Sequence, residues 1–219
     1  LQEVDAEAGA LIGPRTNIFP GTALGLTEAP HLYRRGDYYY LMVAEGGTGY
    51  GHAVTMARAT QVAGPYEGDP QNPIVTSWPE NYNARHDADH LKPHYFNPQT
   101  YLQKAGHGSY VETPTGEVWL THLCSRPFRQ VLRCPLGRET ALQRVTWTAD
   151  GWPRLASGGP APVSELPAPA LPPAPDRAKA VYGAPIDLLA DGIAGWETMN
   201  PKAHFGWSVK DGSQDFNGD

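Results

Sequence analysis

TEAPHLYRRGDYYYLMVAEGGTGYGHAVT, residues 27–55, decides the fold. His31-Leu32-Tyr33 and Tyr38-Tyr39-Tyr40-Leu41-Met42-Val43 are rich in aromatic and β-branched residues and flank a turn at Arg35-Gly36-Asp37, so they read as a hairpin. Glu28 stands just before Ala29-Pro30. A residue preceding proline is driven out of the helical region toward extended geometry, so Glu28 opens this hairpin and does not sit in a helix. An acid at the mouth of a hairpin can face a cavity while the strands behind it stay packed. The plainer alternative is a surface Glu at a strand edge.

Working outward, strand follows strand. Tyr38 to Val43, His52 to Ala57, Val118 to Leu123 and Ala141 to Trp147 each carry β-branched and aromatic residues bounded by Gly, Pro, Asp or Asn. Turn signals recur at Gly46-Gly47, Gly64-Pro65, Asn72-Pro73, Thr115-Gly116 and Asp150-Gly151, as blades of antiparallel sheet require. Helical periodicity is nearly absent, and an all-β architecture is expected.

Composition agrees. Of 219 residues, 40% are hydrophobic, and 24 Gly, 22 Pro and 11 Tyr suit short strands joined by tight turns. A net charge of -6 and a pI near 5.7 provide no basic stripe, which argues against nucleic acid as a partner. No apolar run approaches the ~20 residues a helix needs to cross a bilayer, so no membrane partner is expected. Two cysteines, Cys124 and Cys134, flank a loop and either pair or remain free thiols. Compartment and oligomeric state stay open.

Between Ser77 and Leu102 the pattern lapses into a polar, aromatic stretch expected to be a long loop. It holds His86, Asp87, Asp89, His90 and His94, a spacing that resembles metal ligands, although nothing nearby fixes them and a solvated insertion is the simpler reading. Trp78, Tyr82, Tyr95 and Phe96 offer flat faces for stacking on a sugar. After Leu155, SGGPAPVSELPAPALPPAPDRAKAVYGAP is too rich in Pro and Ala to bury a core and reads as a semi-rigid linker over 156–185.

The segments TEAPHLY, YYYLMVAEGGTGYGHAVTMAR, GPYEGDPQNPIVTS, LQKAGHGSYVET, HLCSRP, CPLGRETALQ and TWTADGWPRL, in this order over residues 1–155, resemble glycoside hydrolase family 43. That family comprises β-xylosidases and α-L-arabinofuranosidases built on a five-bladed β-propeller. The resemblance implies that Glu28 is the general acid. It implies that His107, of the KAGH segment, lies at the bottom of the central cavity near a hydrated cation, usually calcium. Arg138, of LGRET, would reach sugar hydroxyls and catalytic carboxylates, with its fork-shaped guanidinium doing what Lys cannot, and Thr48 would line the same pocket. The plainer readings are a buried structural histidine for His107 and, for Arg138, a surface ion pair with Glu139. Glu139 itself, pointing the other way along its strand, is expected to be structural. Glu45 and Glu112 lack any reason to face the cavity.

Inverting glycosidases need a second carboxylate, and the family's base Asp and the Asp that tunes the acid fall before Leu1 in the resemblance. The opening LQEVDAEAGALIGP looks like a strand and turn from mid-propeller, so the expectation is a fragment holding the later blades of a partial five-bladed propeller. Residues 186–219, with GWSVKDG at 206–212, resemble the start of the lectin-like sandwich named for 3-keto-disaccharide hydrolases. The parent is expected to be an exo-acting, inverting xylan 1,4-β-xylosidase acting on xylo-oligosaccharide or arabinoxylan fragments. The alternatives are an α-L-arabinofuranosidase, an endo-acting arabinanase-like enzyme or a non-catalytic sugar-binding module.

Overall fold

The computed structural model describes residues 1–78 and 96–172, together with the backbone of 205–210 and 213–218. These divide into two compact units, Leu1–Pro172 and Pro173–Asp219. Every regular element among the described residues is a strand.

The first unit opens with a small hairpin, β1 (Glu3–Asp5) and β2 (Ala10–Ile12). Two antiparallel meanders follow. The first runs β3 (Glu28–Arg35), β4 (Tyr38–Glu45), β5 (Ala53–Ala59) and β6 (Glu67–Gly68), with β7 (Val75–Thr76) also pairing with β5. The second comprises β8 (Gln103–Glu112), β9 (Val118–Ser125), β10 (Glu139–Trp147) and β11 (Pro153–Leu155), in chain order across the sheet. Each is a propeller-type blade, and β8 packs against β4, β5 and β7 of its neighbour. The described chain is therefore all-β and forms part of a propeller.

Period-two alternation places the core between the blades. Tyr40, Met42, Val54 and Met56 from the first sheet meet Ala105, Val118, Leu120, Val145 and Leu155 from the second. Two glycines of β8 make this approach possible: a Cβ on Gly108 would lie 3.0 Å from a Val54 methyl, and one on Gly106 only 2.3 Å from the His52 ring. At the outer end, Arg58 lies over Trp152 at 4.2 Å and donates to the Asp150 carbonyl at 2.6 Å. Nearby, Asp69, almost wholly buried, is clasped by both terminal nitrogens of Arg154.

The first unit runs on to Pro172, beyond the Leu155 at which composition places its end. The Pro-rich stretch lacks apolar alternation, yet hydrogen bonds hold it. Thr76 N donates to Pro160 O at 2.9 Å, Gln143 exchanges two bonds with Val163, and Ala170 N donates to Glu117 at 2.7 Å. In the second unit, β12 (Phe205–Lys210) and β13 (Ser213–Gly218) pair antiparallel.

Candidate active site

The leading strands of the two blades, β3 and β8, meet through their side chains. Tyr33 of β3 stacks on Tyr110 of β8 with centroids 3.9 Å apart, and its hydroxyl shares a 3.0 Å hydrogen bond with Ser109 and accepts one from Tyr110 N at 3.2 Å. His31 lies 6.4 Å from His107 between ring centroids. The segments bearing Glu28 and His107 thus converge on one edge of the blade pair.

Both strands are distorted where they do so. The β3 register slips between Glu28 and His31, and Ala29 adopts φ 48°, a left-handed conformation. Extended geometry was expected ahead of Pro30, and the bulge is the physical reason for the difference: the extra residue is absorbed by turning Ala29 into the left-handed region. Glu28 is exposed and, among the described residues, carries no hydrogen bond or ion pair. β8 slips twice, between Gln103 and Gly106 and again between Gly106 and Ser109, with Lys104 at φ 56° and His107 at φ 53°. Non-glycine residues held in this region mark sites where the surroundings over-determine the backbone.

Thr48 and Arg138 meet in a cavity of about 540 Å³, shared with Lys104, Ser125, Leu132, Arg133, Cys134, Pro135 and Gly137. Among the described residues, its cations are Lys104, Arg133 and Arg138, and its lining includes no carboxylate. Lys104 Nζ rests 4.8 Å from the Tyr50 ring centre. Glu28 instead lines a separate, mostly apolar cavity of about 390 Å³ with Leu1, Ile18, Phe19, Leu32, Leu41 and Val43. His107 borders neither. Of the predicted site residues, Thr48 and Arg138 thus share a wall and Glu28 stands on another.

Glu139 does not pair with Arg138. Its carboxylate takes two 3.0 Å bonds from Nε of Arg126, which leaves Arg138 without an ion pair among the described residues. Cys124 and Cys134 are free thiols. Successive residues of β9 point to opposite faces, and Cys134 Sγ donates to Ser125 at 3.3 Å, so Cys124 faces away from it.

Trp78 is buried and provides no open stacking face, while Phe96 sets its ring edge-on to Tyr50. His86, Asp87, Asp89, His90, His94, Tyr82 and Tyr95 lie outside the described residues. No three His, Cys, Asp or Glu side chains among the described residues converge to hold a metal ion.

Sequence reasoning passed over Lys104, Arg133 and Cys134, which line the cavity with Thr48 and Arg138. The signal for Lys104 was its place in LQKAGH. Arg133 and Cys134 lie on the 126–138 connection, whose path only the tertiary structure reveals.

Two bulged antiparallel blades packed against each other are the frame of a partial β-propeller. The chain belongs to Glycosyl hydrolases family 43, which matches residues 1–153. It is 50% identical over 162 residues to "Xylosidase/arabinosidase 43B" of Humicola insolens, covering 74% of this chain and 27% of that protein. It is 46% identical over 180 residues to "Beta-xylosidase" of Bacillus subtilis (strain 168), covering 78% and 30%. Among solved structures, the xylan beta-1,4-xylosidase from Bacillus Halodurans C-125 aligns with a TM-score of 0.68 and 50% identity, over 78% of this chain and 29% of that one. The chain thus spans under a third of the length of these relatives.

Proposed function

We propose that the whole protein is an inverting, exo-acting β-xylosidase that trims xylo-oligosaccharide or arabinoxylan fragments. Glu28 protonates the leaving glycosidic oxygen, and Arg138 and Thr48 grip hydroxyls of the sugar being released. A second carboxylate, about 6.5–9.5 Å from the first, activates a water on the opposite face of the ring. The observation that carries this reading is the family match over residues 1–153, which hold Glu28, Thr48, His107 and Arg138, together with 46% identity to a "Beta-xylosidase".

Among the described residues, the cavity shared by Thr48 and Arg138 has no carboxylate in its lining. The 219-residue chain by itself is therefore expected to release no xylose from xylobiose, and the full-length protein is expected to do so until Glu28→Gln removes that activity. Turnover undiminished by Glu28→Gln refutes the assignment. An α-L-arabinofuranosidase is the second reading, supported by 36% identity over 159 residues to "Non-reducing end alpha-L-arabinofuranosidase BoGH43B" of Bacteroides ovatus. Relative kcat/KM on 4-nitrophenyl α-L-arabinofuranoside and 4-nitrophenyl β-D-xyloside separates the two.

A further inference from the structure

Glu45 ends β4 wholly buried, with four donors on its two oxygens. Thr22 N and Thr27 Oγ1 each donate to Oε1 at 2.7 Å, while Thr22 Oγ1 and Thr55 Oγ1 donate to Oε2 at 2.7 and 2.8 Å. Three of these bonds come from residues 22–27, the loop that delivers the chain into β3, and the last of them from the residue just before Glu28. Gly46 N adds a 2.9 Å bond to Gly25 O. The fit is close: a Cβ on Gly21 would lie 2.0 Å from Thr27 Oγ1 and 2.6 Å from Glu45 Oε1.

The same short segment is strained. Leu26 (φ 54°) and Ala29 (φ 48°) both adopt left-handed geometry, and between them stand Thr27 and Glu28. Such conformations persist only where the surroundings over-determine them. Along this stretch the over-determining group is the Glu45 carboxylate, because Thr27 and Glu28 are themselves exposed and Glu28 has no partner of its own among the described residues.

We propose that Glu45 is a positioning residue that, through Thr27, fixes the bulge from which Glu28 reaches the sugar. This rests on Glu28 being the proton donor. The chemistry makes the two ideas separable. A proton donor matters most when the leaving group is a poor one, so a misplaced acid slows cleavage of xylobiose far more than that of a 4-nitrophenyl glycoside, whose leaving group departs with little help. A loss of folded protein slows both equally.

The test compares Thr27→Val with Thr55→Val in the full-length protein. Each removes one hydroxyl from Glu45 with little change of shape, but only Thr27 adjoins Glu28. Thr27→Val is expected to lower kcat on xylobiose about tenfold or more, with less than about a threefold change on 4-nitrophenyl β-D-xyloside. Thr55→Val is expected to affect the two substrates in equal proportion. In the 219-residue chain, Thr27→Val is expected to shift the backbone amide resonances of Glu28 and His31, and Thr55→Val to leave them in place.

Equal losses on both substrates in Thr27→Val, or unmoved amides at Glu28 and His31, overturn the role of Glu45. Glu28→Gln serves as the reference for a missing acid. If it lacks the selective loss on xylobiose while the amide shifts are as expected, it is the assignment of Glu28 that falls, and the positioning role in catalysis falls with it.

Discussion

His52 Nδ1 lies 3.2 Å from the carbonyl oxygen of Lys104, across the seam between the two blades. A carbonyl can only accept, so the proton sits on Nδ1 and the ring is held as that tautomer, with Nε2 buried and without a partner among the described residues. The ring also fills the space above Gly106, between the two slips of β8 that bring Lys104 and His107 into left-handed geometry. One buried histidine thus braces the stretch that carries both cavity-lining Lys104 and His107.

Acid should weaken this brace. Burial, with Lys104 O opposing it and His107 and Arg138 adding to it, pushes His52 down to about 4 from an ordinary 6.5. Between those values the unfolded chain binds a proton that the folded chain refuses, so stability falls as pH drops from 6.5 toward 4 and is flat in this respect above 6.5. The loss amounts to about 3 kcal/mol at most. Buried His122, also lowered by burial, acts in the same direction. Urea unfolding between pH 4 and 8 should show this slope, and His52→Asn should flatten it; an unchanged slope in the variant contradicts the assignment.

Gly106→Ala should damage the same contact from the other side. Its new Cβ would lie 2.3 Å from His52 Cγ, and neither the ring nor the backbone of β8 can retreat without loosening the seam. Overpacking of this kind costs about 2 kcal/mol. Thermal denaturation should report a lower Tm, and the His52 and His107 ring proton resonances should move together.

Arg154→Met should destabilise the first unit by about 3 kcal/mol, because Asp69 would stay buried with no cation beside it. Arg154 Nη2 donates to Asp69 Oδ1 at 2.7 Å, and the Asp69 side chain is fully shielded from solvent. The double variant Arg154→Met, Asp69→Asn should recover part of the loss. A denaturation midpoint unaffected by Arg154→Met would show the pair to be worth little.

Native thiol titration should label one cysteine readily. Cys134 is partly exposed at the cavity wall, whereas Cys124 is buried and its thiol is pushed up to about 11, chiefly by burial and then by Glu139. Thiolate is the reactive form, so Cys124 should react only after unfolding. Equal labelling rates in the folded chain would contradict the burial of Cys124.

The hairpin around Gly36, the strands β4, β5, β9 and β10, and the family-specific order of segments were legible in the residues, because β-branched and aromatic runs and turn chemistry are local properties. Glu45 was passed over as a carboxylate without a role, since its donors come from residues 22, 27 and 55 and their convergence cannot be read from spacing. The hydrogen bonds of the Pro-rich segment after Leu155 were illegible for a related reason. Its composition excludes a core of its own, but says nothing about hydrogen bonds offered by Thr76, Gln143 and Glu117 on the blades.

By itself, then, the sequence determined the kind of strand, the places where the chain turns, and the family to which TEAPH, KAGH and LGRET belong. Only the tertiary structure decided that Ala29 and His107 turn left-handed, that Arg126 rather than Arg138 takes Glu139, and that Thr48 shares its cavity with Arg138 while Glu28 lines another. The division has a physical cause. Propensity and alternation act between near neighbours, whereas bulges, buried ion pairs and cavity walls are set by which distant strands come to lie against one another.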